Sequence, residues 1–599
     1  MRSLGFTIVL ILLATLHCGR GFPETFPWGY LLLGEVATSA NTTTTTATPT
    51  VDDYSTLVSS ETSLLAFWRL NEAATNGTAN TDIRGGFNGT FTGATGTPTS
   101  DAGATNANDS DNGYTLTAGA GDDYRVVVPA PAGLQFTAGQ SMTLELWAKP
   151  RVLNEKMDIL THGRIDGLDD ANFSIRINGA KVGFFFGTTA GATNVSVLRT
   201  DDFILRKDEW YHIVVTHTYG SIADSAIYIN GIERNSSWVM GSGTETPDTP
   251  GKDLWIGASN GPAAGAVDNV FDGTVDDVAI YNSILSQDTI RSHYRSANNK
   301  LVQFLPSTKI LGINENTFLV TNGGTSPFSY SVVSGNGSIS SSGLFSAPGT
   351  MGSTTVRVTD ADGSTDDVTL RHFVEPDDLG GMLVWFKGDA QTYSADSAIP
   401  ILVDSSGSGN DGTQGTAANQ PTFTEGVANG LPVITFDGTN DSLQLPITTD
   451  ANTISFTVTG IFQSNAVNAA ILDQGGGTNP ILLHRNTCVA LGDLQSGFAC
   501  PAPAYTAGTP VIHSSVFTAG VSVDYFTDGT TSALGSGTAF GVSTANWNVG
   551  SLGGSFFLTG VIGELIIFNS AIGAANREAI ECYLSVKYDQ AVDAGHGCP

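Results

Sequence analysis

Positive charge is scarce in this chain. Against 57 aspartates and glutamates stand 26 lysines and arginines, a formal net charge of −31 over 599 residues. So acidic a chain lacks the basic surface that phosphates require, which excludes nucleic acid as a partner. Charge of either sign is sparse at 14%, while 40% of residues are hydrophobic, so wholesale disorder is excluded. No long apolar run follows the N-terminus, and spanning a bilayer takes about 20 apolar residues. Cysteine is rare, and the nine histidines form no His-x-x-x-His pair. With no Cys-x-x-Cys pair either, the pattern does not point to zinc.

Glycine is abundant, at 71 residues, alongside much serine and threonine. That profile suits many short strands joined by tight turns, in several domains, and argues against helical bundles. The chain begins Met1-Arg2, continues in an apolar run from Leu4 to Leu16, and reaches Cys18. A positive start and a short apolar core predict a signal peptide over residues 1–21 and a secreted or cell-surface protein. Lipid attachment at Cys18 is disfavoured, because Thr15-Leu16-His17 lacks small residues. Cys488, Cys500, Cys582 and Cys598 then remain, an even number in an exported chain. Three connectivities are open; sequence proximity favours Cys488–Cys500 and Cys582–Cys598, and free thiols are the competing reading.

Residues 22–60, with the run Thr42 to Thr46, read as a Thr/Ser-rich linker. Residues 61–298 are dense in strand signals. Met142, Leu144, Leu146 and Ala148 alternate with Thr143, Glu145, Trp147 and Lys149. Asn230-Gly231 separates two apolar runs, which is a hairpin signal because both residues accept positive φ. Ser286 is a candidate cap for a helix running to Tyr294. Residues 301–375 carry short strands between Gly, Ser and Asp turns, as in a small β-sandwich. Residues 379–590 repeat the first pattern, and 591–599 form a tail. Trp385 parallels Trp68, and Gly409-Asn410-Asp411-Gly412-Thr413 parallels Gly86-Phe87-Asn88-Gly89-Thr90. Gly273 to Ser283 aligns without a gap on Gly560 to Ser570. The chain therefore holds two diverged copies of one large β domain around a small one.

The first copy resembles the laminin-G-like, concanavalin A-like jelly-roll family. The resemblance lies in Trp68-Arg69-Leu70-Asn71-Glu72, Met142 to Lys149, Trp210-Tyr211-His212, Tyr228 to Gly231 and Gly273 to Leu285. The second resembles a bacterial variant through Trp385, Asp404 to Asp411, Phe436-Asp437-Gly438 and Gly560 to Tyr588. The middle resembles bacterial immunoglobulin-like domains through Ser342 to Pro348 and Val358-Thr359-Asp360. The resemblance implies an all-β chain: two jelly-roll sandwiches flanking a small immunoglobulin-like sandwich. It also implies one bound calcium in some members, and binding of extracellular glycans or surface proteins, as in adhesion.

Calcium takes six to eight oxygen ligands from carboxylates, amides and carbonyls. The candidate ligands are Glu72, Asp82, Asn88, Asp122, Asp276 and Asp277 in the first copy. In the second they are Asp404, Asp411, Asp437, Asp441 and Glu564. Ordinary acidic turns are the competing reading, since Asp and Asn bond their own backbone there. Catalysis is not expected. Glu145 stands alone on its strand and Asp276-Asp277 alternate between faces, so no carboxylate pair suits glycoside hydrolysis. Gly257-Ala258-Ser259-Asn260-Gly261 matches Gly-x-Ser-x-Gly, but antiparallel strands surround it where a nucleophile elbow needs a strand and a helix. Trp68, Trp147 and Trp385 lie in strand patterns and are expected in cores. The sequons at Asn88, Asn172, Asn235 and Asn440 are expected to be idle.

Overall fold

A computed structural model describes residues 53–93, 99–104, 112–117, 124–153, 156–163, 170–188, 195–249, 251–260, 267–305, 308–451, 456–464, 468–474, 480–485, 488–490, 508–519, 522–536 and 545–599. The signal segment, Cys18, Asp122 and Cys500 lie outside the described residues, and so does the Cys488–Cys500 pairing. The chain is nearly all β, and residues Thr50–Pro599 form one compact unit.

The first large domain is a sandwich of two antiparallel sheets. One runs Ile232–Arg234, Ser221–Ile229, Tyr211–Thr218, Ser141–Pro150, Gly273–Tyr281, Asn112–Leu116, Thr99–Ala102, with Leu64–Trp68 also pairing on Gly273–Tyr281. The other runs Ser236–Met240, Val195–Thr200, Lys181–Gly187, Phe173–Asn178, Lys156–His162, Leu254–Ile256, Arg125–Val128, Gly89–Thr92, Ala79–Asn80. Alternation decides what each strand buries: Leu144 and Leu146 face the inter-sheet core with Trp68, Ile175, Phe184 and Ile213. Trp147 faces the opposite side, under the helices, with Tyr228 and Tyr281. The Asn230-Gly231 turn has φ of 53° and 75°, and it pairs Ile229 with Ile232.

The second copy keeps this order, with an added edge strand in its first sheet and without counterparts of Val195–Thr200 and Ser236–Met240 among the described residues of its second. Its first sheet reads Thr530–Ser536, Ser522–Thr527, Val511–Thr518, Phe456–Ser464, Thr559–Phe568, Leu431–Asp437, Thr422–Ala428, Ser397–Ala398, with Met382–Lys387 on Thr559–Phe568. Its second sheet reads Cys488–Ala490, Pro480–Arg485, Asn468–Gln474, Trp547–Val549, Leu443–Leu445, Gly412–Thr413, Ile401–Leu402. One sequence parallel is corrected. Trp385 pairs with Ile566 and Phe67 with Ala279, and these partners are equivalent in the gapless match. Trp385 therefore occupies the place of Phe67, and Phe386 that of Trp68. The one-residue offset sends Trp385 to the helix side and Phe386 between the sheets, because side chains alternate faces.

Between the copies lies a small β unit. Thr308–Gly312, Thr365–Phe373, Gly352–Thr359 and Ser329–Ser334 form one sheet, its first pair parallel. Asn316–Phe318, Leu344–Ser346 and Ser338–Ile339 form another. Val302–Leu305 pairs with Val320–Gly323. Phe304, Phe345, Val356 and Leu370 make up its core.

Three α-helices complete the described residues: α1 (Tyr54–Ser60), α2 (Gln287–Ala297) and α3 (Ala574–Tyr588). Helix α1 starts inside the stretch expected to be linker, and its local chemistry explains why. Asp53 caps it by accepting from the Thr56 amide at 3.0 Å, and Tyr54 and Val58, four residues apart, bury one face. Helix α2 starts at Ser286, whose Oγ accepts from the Thr289 amide at 3.1 Å. Helix α3 buries Ile580, Leu584 and Tyr588 and is joined to the tail by the Cys582–Cys598 disulfide, with Cα atoms 5.3 Å apart. Cys598→Ser is expected to lower unfolding free energy by about 3 kcal/mol, for a loop of this length. Denaturant titration with and without reductant checks it: the parent should fall to the level of the variant only when reduced.

Candidate functional site

The acidic loops fasten backbone. Asp82 Oδ1 accepts from the amides of Phe67 and Arg84, and its Oδ2 from those of Gly86 and Phe87, all within 2.9–3.0 Å. Asn88 Oδ1 accepts from the Asp82 amide at 2.9 Å. The second copy repeats this, with Asp404 accepting from the Trp385, Ser406 and Asn410 amides and Asp411 from that of Asp404. Asp437 accepts from Thr439, and Asp441 from Asp437. Glu72 accepts from Thr81, nine residues on.

Asp276 and Asp277 sit where the strand bulges against Ser141–Pro150, with Asp277 at φ 47°. Asp276 accepts from the Ala104 amide at 2.9 Å, and Asp277 pairs with Arg69 at 2.9 Å. The structure thus brings Asp82 to Asn88 and Asp404 to Asp411. Among the described residues, no three His, Cys, Asp or Glu side chains converge as metal ligands. Asp82 and Asp404 direct their oxygens at backbone amides, the role acidic residues play in turns.

Glu145, isolated in the sequence, is the centre of a buried network. Fully enclosed, it accepts from Tyr54 at 3.1 Å, His212 Nε2 at 2.8 Å, Tyr281 at 2.6 Å and His293 Nδ1 at 3.1 Å. Burial alone would disfavour a charged His293, but the Glu145 carboxylate against it pushes the imidazole up to about 9. Burial likewise opposes ionisation of Glu145, yet His293 and His212 hold it well below the ordinary glutamate value. In the second copy the buried carboxylate is Glu564, which takes Trp385 Nε1 at 3.1 Å, Tyr583 at 3.1 Å and the Lys587 ammonium. These centres pin α1, α2 and α3 to their sheets.

The accessible chemistry lies where the three β regions meet. A cavity of about 390 Å³ is lined by Phe203 to Arg206 of the first, Phe373 and Glu375 of the middle, and Lys387, Asp389, Asn429, Leu431, Tyr583 and Lys587 of the third. Its size is within the range of small-molecule sites. It is shaped by docking of the Asn429-Gly430 hairpin turn onto the first domain. Gly430 O accepts from the Ala180 amide at 3.1 Å, and a Cβ on Gly430 would lie 2.8 Å from that of Ala180. Beside the turn, Glu425 is clamped by Arg199 at 2.8 Å and Lys181 at 3.8 Å.

Asn429 donates to Lys587 O at 3.1 Å, and its buried Oδ1 receives no hydrogen bond. Burial, then Asp377 and Glu315, push Glu375 up to about 7. Burial raises Asp389 too, but Lys587 holds it below the ordinary range. No sequence signal joined these residues, because they come from five separated segments.

Comparison with known proteins places the first domain. Residues 119–291 match the concanavalin A-like lectin/glucanases superfamily. The match is to a laminin-G model of that superfamily, as the resemblance implied. No curated protein matches the chain. Similar solved structures include Trypanosoma rangeli sialidase, at 14% identity over 39% of this chain and 32% of that one, with a TM-score of 0.27. Domain 4 of AbnA, a GH43 extracellular arabinanase from Geobacillus stearothermophilus in complex with arabinotriose, matches at 18% identity over 39% and 98%, with a TM-score of 0.26. The binding domain of Paraclostridial Mosquitocidal Protein 1 matches at 11% identity over 64% and 86%, with a TM-score of 0.30. The chain spans about a third of the sialidase chains it matches.

Within the concanavalin A-like domain, Ser259 is fully buried in a two-residue antiparallel pairing and donates to Asp268 O at 3.2 Å. It forms no nucleophile elbow. Asn172 is also buried, holding Phe136 N and O and Asp248 O, so its sequon offers no free amide. Trp68, Trp147 and Trp385 are buried, as the strand patterns predict.

Proposed function

We propose that this chain is an exported, non-enzymatic protein that binds extracellular glycans or glycosylated surfaces, in the manner of an adhesin. The observation that carries the reading is the junction cavity, where aromatic and aliphatic walls adjoin cations, a buried amide acceptor and a carboxyl. Such a mixture suits a saccharide, whose ring faces are apolar and whose rim is hydroxylated. The concanavalin A-like match supports a carbohydrate-binding role. The Cys582–Cys598 disulfide suits an oxidising compartment. No described helix is long and apolar enough to cross a membrane.

A glycan array probed with the full chain, in millimolar calcium and in chelator, tests the reading. Binding of at least one saccharide class is expected; a blank array under both conditions rejects it. Loss of binding in chelator would give calcium a role in it. A second reading, glycoside hydrolysis, draws on Glu375 and Asp389, two carboxyl groups lining one cavity with protonation pushed in opposite directions. Release of reducing ends by pure protein, abolished in Glu375→Gln, would establish it in place of the first.

A further inference from the structure

We propose that the junction cavity holds the carboxylate of an acidic saccharide, with Arg206, Lys387 and Arg371 as its cationic rim. The inference rests on the saccharide-binding reading and narrows it to a ligand class. A second space of about 400 Å³ adjoins the cavity, shares Arg206, Asn429 and Val586 with it, and adds Lys207 and Arg371. Five basic residues thus gather at one junction of a chain with a net charge of −31. Two of them are neutralised: Lys587 by Asp389 and Glu564, Lys207 by Asp589.

The other three have no carboxylate partner among the described residues. Arg206 donates one Nη1–H to Val586 O at 3.1 Å, leaving the rest of its guanidinium fork uncommitted. Lys387 lies 3.9 Å from the Trp385 ring centre. Arg371 is exposed on the strand Thr365–Phe373. Lys387 faces Glu375 and Asp389 without a direct ion pair, and Arg206 and Arg371 keep their guanidinium forks for an anion; a guanidinium matches a carboxylate in two parallel hydrogen bonds. Asn429 Oδ1, a buried acceptor without a donor, can take a sugar hydroxyl. Phe203 and Leu431 offer apolar cover for the ring. The size of the cavity suits the end of a glycan chain.

Four acids line the two spaces: Asp389 is paired with Lys587, Asp589 with Lys207, Glu209 accepts from Tyr211, and Glu375 loses its charge as pH falls through about 7. Lys387 faces it from the third region, with Asp377, Asp378 and Glu315 from its own. A sugar carboxylate stays ionised over this range, so affinity should rise as pH falls.

The test is calorimetric titration of the full chain with trigalacturonate, sialyllactose, the carboxyl-reduced form of each, and a neutral trisaccharide. The two acidic probes separate uronate from sialate sources. At least one should bind about tenfold more tightly than its reduced form. Lys387→Met and Arg371→Gln should each weaken it several-fold without moving the melting temperature. Equal binding of acidic and reduced forms overturns the inference while leaving saccharide binding intact. Acidic binding that ignores both substitutions also overturns it. Failure of every saccharide, neutral or acidic, defeats both readings together.

Discussion

Glu145→Gln is expected to destabilise the first domain by about 3–5 kcal/mol, the range for removing one partner of a buried ion pair. Glutamine keeps the volume and can still accept one or two hydrogen bonds, but it leaves His293 charged, enclosed and unneutralised. The remaining groups facing that imidazole are Glu61, at 3.7 Å, and His212, Tyr54 and Tyr281 around the lost carboxylate. The pH dependence has a definite sign. His293 has a folded value of about 9, above its ordinary 6.5, so its contribution is complete below about 6.5 and lost as pH rises toward 9. At about 1.4 kcal/mol per pH unit, the parent should lose roughly 3 kcal/mol across that interval. Glu145 acts at the other end: its contribution is present above the ordinary glutamate value and is lost only in strong acid. Urea unfolding of parent and variant from about pH 6 to about pH 9 measures the destabilisation and the His293 slope. A variant whose stability keeps the steep parental fall would show that Glu145 is not what charges His293.

The second large effect is at the contact between the two jelly rolls. Glu425 presents a side chain only 7% exposed to Arg199 and Lys181, which are 16% and 10% exposed. Glu425→Ala leaves two cations facing each other in a place nearly closed to water, at a cost of about 3–5 kcal/mol. That cost acts on the interface and leaves each sandwich core untouched. Scanning calorimetry should therefore resolve two transitions where the parent shows one, and Glu425→Gln should give an intermediate trace. An unchanged single transition would mean that the remaining contacts, Gly430 with Ala180, Arg206 with Val586 and Lys207 with Asp589, suffice to couple the domains. Separating them should also open the junction cavity and abolish glycan binding there.

The sandwich architecture was legible because it depends on local, periodic signals. Asn230-Gly231 can form a hairpin turn without help from distant residues, and the Gly273–Ser283 and Gly560–Ser570 match fixes which strands correspond. What depends on a single residue of register was less secure. Two tryptophans looked equivalent, yet Trp68 and Trp385 face opposite sides because strand pairing, not residue type, sets orientation. The linker reading erred at Asp53 to Ser60, where a short helix is held by a cap and by burial of Tyr54 and Val58 rather than by a long apolar period. The acidic loops carried two readings, cation ligands and backbone fasteners, since the composition is the same; the amides opposite Asp82 and Asp404 show the fastening role, which no single segment announces. Glu145 looked solitary because its partners lie 67 and 148 residues away. The junction cavity left no trace in any one segment.

Two sandwiches with the same strand order on one chain could exchange strands while folding, and the buried charges bear on that error. Glu145 pairs with Ala279 and Thr459 with Ile566, and these partners are equivalent, so Thr459 is the counterpart of Glu145. In the first copy the carboxylate beneath the helices lies on Ser141–Pro150; in the second, Glu564 lies on the neighbouring strand, Thr559–Phe568. Were Phe456–Ser464 to take the place of Ser141–Pro150, a threonine would stand beneath α2 and His212 and His293 would be sealed in without their anion. The alternation of faces would accept the intruder; the electrostatics would not. The unlike positions of these two glutamates thus mark each strand as belonging to its own half, a safeguard for the newly made chain as its duplicated halves sort themselves out.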